Sequence, residues 1–144
     1  MAIQISKVDV WAGDIANHPG GLAKKLEALA EAGASLEFVI ARRRPEKPDR
    51  SVVFLAPVRG PKQIRAARKA GLSKAATMYS LRLEGPDKPG LGARISDAIA
   101  EAGINMRGLS AAAIGRKCVV YFAFDSDADA KMASRILKKT LGGK

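Results

Sequence analysis

The residues that could do chemistry are few. One histidine, His18, and one cysteine, Cys118, stand 100 positions apart, so a Cys/His zinc site and an internal disulfide are both excluded. A Ser-His-Asp mechanism would have to use His18, which sits beside a Pro-Gly turn. Three aspartates, Asp125, Asp127 and Asp129, are spaced like a calcium loop, but the glycine and terminal glutamate of that loop are missing. They read instead as acidic residues at a helix start, where carboxylates suit the dipole. What remains are two Pro-Gly loops, His18-Pro19-Gly20-Gly21-Leu22 and Lys88-Pro89-Gly90-Leu91-Gly92. A Pro-Gly turn at a helix N-terminus aims backbone N–H groups at one point and favours an anion such as a carboxylate. Gly20, Gly21, Gly90 and Gly92 let a ligand come close to the backbone. Asn17 and Asp87, two positions before each proline, could add a polar contact. Either could equally be a turn former or a cap.

The loops belong to a repeat. Over 19–41 against 89–111, nine of 23 positions are identical without a gap, five of them alanine. Pro-Gly and Ala-Glu-Ala-Gly recur in the same order, 70 residues apart. Val52-Val53-Phe54 then aligns with Val119-Val120-Tyr121 at an offset of 67. The three extra residues of the first copy fall in its Arg/Pro-rich stretch, where an insertion fits a loop.

Each copy reads as strand, helix, strand, strand, helix. Ile3, Ile5, Val8, Val10 and Ala12 predict a strand over 3–12 with a slip near Lys7. Leu22, Leu26, Leu29 and Ala30 make one face of a helix over 21–32, closed by Gly33. Strands are predicted over 35–43 and 51–57, joined by a basic loop from Arg44 to Arg50 that contains Pro45 and Pro48. Gly60-Pro61 opens a second helix to about residue 70, and a short strand fits 73–76. The second copy predicts strands over 77–84, 104–113 and 117–124 and helices over 91–102 and 127–140. Its last strand is missing, and the long N-terminal strand is a candidate donor. The fold class is therefore α+β, two tandem ferredoxin-like βαββαβ units with helices on one face of antiparallel sheets. The boundary is set between 1–75 and 76–144.

Both copies resemble the ACT domain, a small-molecule-binding regulatory module. The second copy carries the resemblance in Asp87-Lys88-Pro89-Gly90-Leu91-Gly92-Ala93-Arg94-Ile95 and Ala100-Glu101-Ala102-Gly103-Ile104-Asn105-Met106. The first carries it in Asn17-His18-Pro19-Gly20-Gly21-Leu22-Ala23 and Ala30-Glu31-Ala32-Gly33-Ala34-Ser35-Leu36, with Ser35 where the family often has Asn. The resemblance covers about 8–141. It implies a ligand between the Pro-Gly loop and the start of the second strand, at an interface between paired domains. The implied contacts are Asn17, Gly20, Gly21, Leu22, Ser35 and Leu36, and Asp87, Gly90, Leu91, Gly92, Asn105 and Met106. Asp87 suits an ammonium and the loop amides a carboxylate, so an α-amino acid is the expected ligand.

Composition bounds the rest. The chain has 144 residues, 47% hydrophobic, 27% charged and only 5% aromatic. Two units of about 70 residues with aromatic-poor cores lean on one another or on a second chain. A homodimer or higher oligomer is expected, with a regulated enzyme as a possible further partner. No apolar run approaches a membrane span, and Met1–Trp11 lacks a signal-peptide h-region. A cytoplasmic, non-catalytic sensor that needs no cofactor is the leading expectation. The alternative is an RNA-binding protein, suggested by the net charge of +11, the basic 42–50 stretch and Lys117–Phe124. RNA recognition on such a sheet needs outward aromatics for stacking. Val119 fills the first stacking position, so nucleic acid is not the expected partner.

Overall fold

A computed structural model describes residues 3–143. The N-terminal run, expected as one strand over 3–12, is two strands, β1 (Gln4–Val8) and β2 (Trp11–Ala16), in different sheets. The cause is parity. Side chains alternate across a strand, so Ile3 and Ile5 share one face while Val8 and Val10 take the other. One flat strand cannot bury both sets on one side, and the chain breaks at Asp9 and Val10.

From β2 the chain builds one unit, Asp9–Ala75. Its elements are α1 (Gly21–Glu31), β3 (Phe38–Arg44), β4 (Lys47–Ala56), α2 (Gly60–Lys69) and β5 (Ser73–Lys74). The sheet order is β3-β4-β2-β5, all antiparallel. Trp11, Ile15, Leu29, Val53, Leu55, Ala67 and Leu72 form its core. The predicted basic loop from Arg44 to Arg50 is mostly strand, because only Pro45 and Glu46 turn. Pro48 is tolerated since the register shifts between Arg43 and Arg44, leaving no ladder bond for its missing N–H.

The other unit takes β1 and the chain from Ala76 onward. It contains β6 (Tyr79–Pro86), α3 (Leu91–Glu101), β7 (Met106–Ile114), β8 (Lys117–Phe124) and α4 (Asp127–Leu141). The sheet order is β1-β6-β8-β7. β1 thus fills here the place that β5 fills in the first sheet, and it supplies the strand the second copy lacks. Gly85 makes the fit possible, because a Cβ there would lie 2.7 Å from Ile3 Cγ2. Ile3 and Ile5 join Leu81, Leu83, Ile95, Ile99, Phe122, Phe124 and Leu137 in the core. Each unit is ferredoxin-like.

Helix ends differ in a way that bears on function. α4 starts on Ser126, whose Oγ accepts from the Asp129 N–H at 3.1 Å, with Asp127 and Asp129 in its first turn. α1 and α3 have no side-chain cap and no acid in the first turn.

Candidate functional site

Both Pro-Gly loops are tied down alike. The Asn17 N–H donates to Asp49 O at 2.9 Å, and the Asp87 N–H donates to Arg116 O at 2.8 Å. Each bond pins the loop to the tip of the neighbouring hairpin. Asn17 Nδ2 also donates to Pro48 O at 2.9 Å, so this side chain anchors the loop. Asp87 has no such bond among the described residues, and its carboxylate faces solvent.

The turn geometry repeats as well. Gly20 and Gly90 take φ 87° and 85°, the left-handed conformation that glycine adopts freely. The N–H groups of Gly21 and Leu91 close back on His18 O and Lys88 O, and those of Lys24 and Arg94 on Gly20 O and Gly90 O. Among the described residues, the N–H groups of Leu22 and Ala23, and of Gly92 and Ala93, are left without a backbone partner. Two adjacent free amides at an uncapped helix start are able to receive an anion. Ala23 and Ala93 were missed in the sequence, although counting donors from the helix start would have found them. Gly21 is needed for another reason, since a Cβ would stand 2.5 Å from Ala16 O. Leu22 and Leu91 pack against the two cores.

The rest of the expected constellation is elsewhere. Tyr79, at the start of β6, and Met106, at the start of β7, both pair with Phe124. Pro86 and Ile114, at the other ends of those strands, both pair with Lys117. Asn105 therefore lies at one end of the unit and Asp87 at the opposite end, about 16 Å apart by the length of α3 alone. Ser35 and Leu36 stand away from Asn17 and Gly20 in the same way, across the length of α1. Within one copy, Asn105 therefore does not reach Asp87 and the loop amides. Asn105 is exposed, while Met106 and Leu36 pack against their cores.

Nearby side chains fill structural roles. Burial, then the negative charge of Asp87, holds the Cys118 thiol above its ordinary pKa. The basic 42–50 stretch reads from the sequence as a solvent-exposed hairpin tip; Arg42, Arg43 and Arg50 are exposed, whereas Arg44 is ion-paired to Asp14 and half-buried. On β8, Phe122 and Phe124 face the core. The Tyr121 ring lies under the Arg82 guanidinium, 5.9 Å from its centroid. That sheet face offers no open aromatic platform. No group of His, Cys, Asp and Glu side chains among the described residues is arranged to hold a metal. Among the described residues, no helix is long and apolar enough to cross a membrane.

The sequence model of the ACT domain family matches residues 79–140. Residues 79–140 are an ACT domain. The matched segment carries the Pro89-Gly90 loop with its free amides, the Asn105 end and the edge strand β7. No curated protein matches the chain in sequence. Among solved structures, a protein from Bacteroides thetaiotaomicron is similar at TM-score 0.78 and 14% identity, over 94% of this chain and 89% of that one. The ligand-free regulatory subunit of aspartate kinase from Thermus thermophilus is similar at TM-score 0.65 and 17% identity, over 97% of each chain. E. coli aspartokinase III, solved with aspartate and ADP, is similar at TM-score 0.62 and 14% identity, over 98% of this chain and 33% of that one. At these identities the likeness is one of fold.

Proposed function

We propose that the chain is a non-catalytic regulatory sensor with two ACT copies, the first over Asp9–Ala75, and that it binds an α-amino acid at the Pro89-Gly90 loop. The observation that carries this reading is the pair of free amides at the uncapped start of α3, inside the matched segment. They suit the carboxylate of the ligand, and the exposed Asp87 carboxylate beside them suits its ammonium. The regulatory subunit of aspartate kinase with the same fold supports a regulatory role, in which occupancy is passed to a partner enzyme.

The site is completed by a second copy. β7 is an edge strand with no charged residue from Gly108 to Ile114, and Leu109 and Ile114 are exposed. Two such edges pairing antiparallel would bring the Asn105 end of one copy beside the Asp87–Gly92 end of its partner. Asn105 can then donate to or accept from the ligand across the interface.

A thermal-shift screen of the twenty amino acids identifies the ligand, and mixing tests the shared site. Gly90→Val and Asn105→Ala each abolish or weaken binding alone. In a mixed dimer one site carries both defects and the other carries neither. Mixing the two variants is therefore expected to restore high-affinity binding to a fraction of sites in calorimetry. If mixing restores nothing although subunits exchange, the shared site is wrong. If no amino acid shifts the melting point, the ligand class is wrong.

A further inference from the structure

The two copies share a scaffold but not a charge pattern. In the first unit, Gly21–Glu31 and Arg59–Lys69 together hold seven basic and two acidic residues, a net of +5. In the second, α3 and α4 hold five basic and four acidic residues, a net of +1. The cleft between the helices repeats this contrast. Between α1 and α2 it measures about 350 Å³, with Lys24, Lys25, Lys69 and Glu31 on its walls and Ala28, Ala66 and Ala70 also lining it. Between α3 and α4 it is about 240 Å³ and is lined by Arg94, Asp97 and Glu101 among others.

The concentration of charge on α2 works against the fold. Lys62 and Arg65 are three residues apart, as are Arg65 and Arg68, and Arg65 and Lys69 are four apart. Like charges at these spacings destabilise a helix. Arg68 and Lys69 gain from the C-terminal dipole, but Lys62 in the first turn does not. All four are exposed, and among the described residues none has a carboxylate partner. On α4, by contrast, Lys131 pairs with Asp127 at 2.9 Å.

We propose that the α1–α2 face of the first unit binds double-stranded nucleic acid through its phosphate backbone, without reading sequence. Lys62, Arg65 and Lys69 lie on one helix face and span about 10 Å, the reach of about three phosphates on one strand. The small side chains of the cleft let a backbone come close between the lysines. Neither helix exposes a large apolar side chain, so the face has no anchor for a lipid bilayer or for the apolar centre of a protein interface. Every described aromatic side chain is at least half-buried, so unpaired bases find nothing to stack on. Backbone charge is the remaining source of recognition, and the duplex carries it most densely. This surface is separate from the sheet face and the 42–50 hairpin weighed in the sequence, and from the amino-acid loop.

The test is fluorescence anisotropy of a labelled random-sequence 24-base-pair duplex titrated with the full chain between 50 and 200 mM salt. Four phosphate contacts, from the three residues of this face and the neighbouring Arg68, predict a slope of log K on log salt of about −3.6, a loss of about 150-fold over that range. K62Q/R65Q/R68Q/K69Q is expected to remove binding, and R65Q/K69Q to reduce the slope by about half. Removing like charges from α2 relieves repulsion, so both variants should keep the wild-type circular dichroism spectrum. K131Q/R135Q/K138Q/K139Q changes the net charge equally from the other unit and is expected to bind nearly as wild type. Equal losses in the two quadruple variants would reduce the effect to overall charge and overturn the proposal. So would a salt-independent isotherm. Binding to phosphatidylserine vesicles or to polyglutamate as tight as to the duplex would overturn the choice of partner.

Discussion

β1 is separated in sequence from its sheet by the whole first unit, and one residue tests that placement. Ile5 is 7% exposed, packs in the second unit's core and pairs with Leu83. Ile5→Ala removes most of its buried side chain and leaves a cavity, a change that costs about 2–5 kcal/mol in well-packed cores. β1 is an edge strand and can partly collapse onto the gap, so the lower half, about 2–3 kcal/mol, is expected. A unit of some 75 residues holds only about 4–11 kcal/mol in total, so the loss is large. Urea denaturation followed by circular dichroism gives the size, and hydrogen exchange gives the location. Amides of β6 and β8 are expected to exchange about 30-fold faster or more, while those of β2 and β4 keep their rates. Trp11 is the chain's one tryptophan and is buried in the first unit's core, so its fluorescence follows that unit alone. Ser6→Ala, at an exposed position on the same strand, should change stability by less than about 0.5 kcal/mol. A loss from Ile5→Ala no larger than the Ser6 control, or protection lost from β2 and β4 instead, would refute the donated strand.

Three further outcomes are expected. Gly90→Ala should cost about 1–2 kcal/mol from the left-handed backbone alone, since its Cβ meets nothing within 4 Å. Gly92→Ala, in ordinary helical geometry with equal space, should stabilise by about 0.5–1 kcal/mol, and urea midpoints will separate the two signs. Asp127 is held below its ordinary pKa of 3.8 by the hydrogen bond from Lys131, so its contribution is present above that pH and lost as pH falls through the depressed value. Asp127→Asn should therefore flatten the dependence of melting temperature on pH below 3.8, and an unchanged acid limb would count against the pair. The Cys118 thiol should react slowly with alkylating reagents at mildly alkaline pH, and Asp87→Asn should speed it by removing the charge that helps hold the thiol protonated.

Local signals were legible in the sequence because they act over a few residues. Gly33, Gly71 and Gly103 mark the helix ends through their positive φ, and Pro19-Gly20 and Pro89-Gly90 mark two of the starts. The slip near Lys7 pointed to the break after β1, since parity is local. Which sheet each half joins was not local, and the three partners of that run, β4, β5 and β6, are far away in the chain. Pro48 reads as a loop residue until the register shift at Arg43 and Arg44 is known. Arg44 reads as one of several free arginines until Asp14, 30 residues away, comes beside it. The separation of Asp87 from Asn105 has the same origin. Motif order placed them in one pattern, but only strand direction shows that they sit at opposite ends of the unit.

The four sheet edges argue for a closed pairing of copies. An unpaired edge is a template for another strand, and charge, brevity or irregularity blocks it. β5 has two residues. β1 carries Lys7, and β3 carries Arg42, Arg43 and Arg44 with a register shift at its end. β7 has nine residues, and its one charge, Arg107, and its register shift, between Met106 and Gly108, are confined to its start. Among the described strands, only this edge offers a long uncharged run, Gly108 to Ile114, and the proposed pairing of copies rests on it. One self-complementary edge gives a two-fold dimer that stops there, whereas a second open edge would let copies add without end. The same pairing would set Asn105 against the partner's loop, so the edge that limits assembly would also complete the proposed site. Arg inserted at Ala111, in the middle of β7, should then yield monomers in light scattering and abolish amino-acid binding together. Monomers that still bind with full affinity would separate the two and return the site to a single chain.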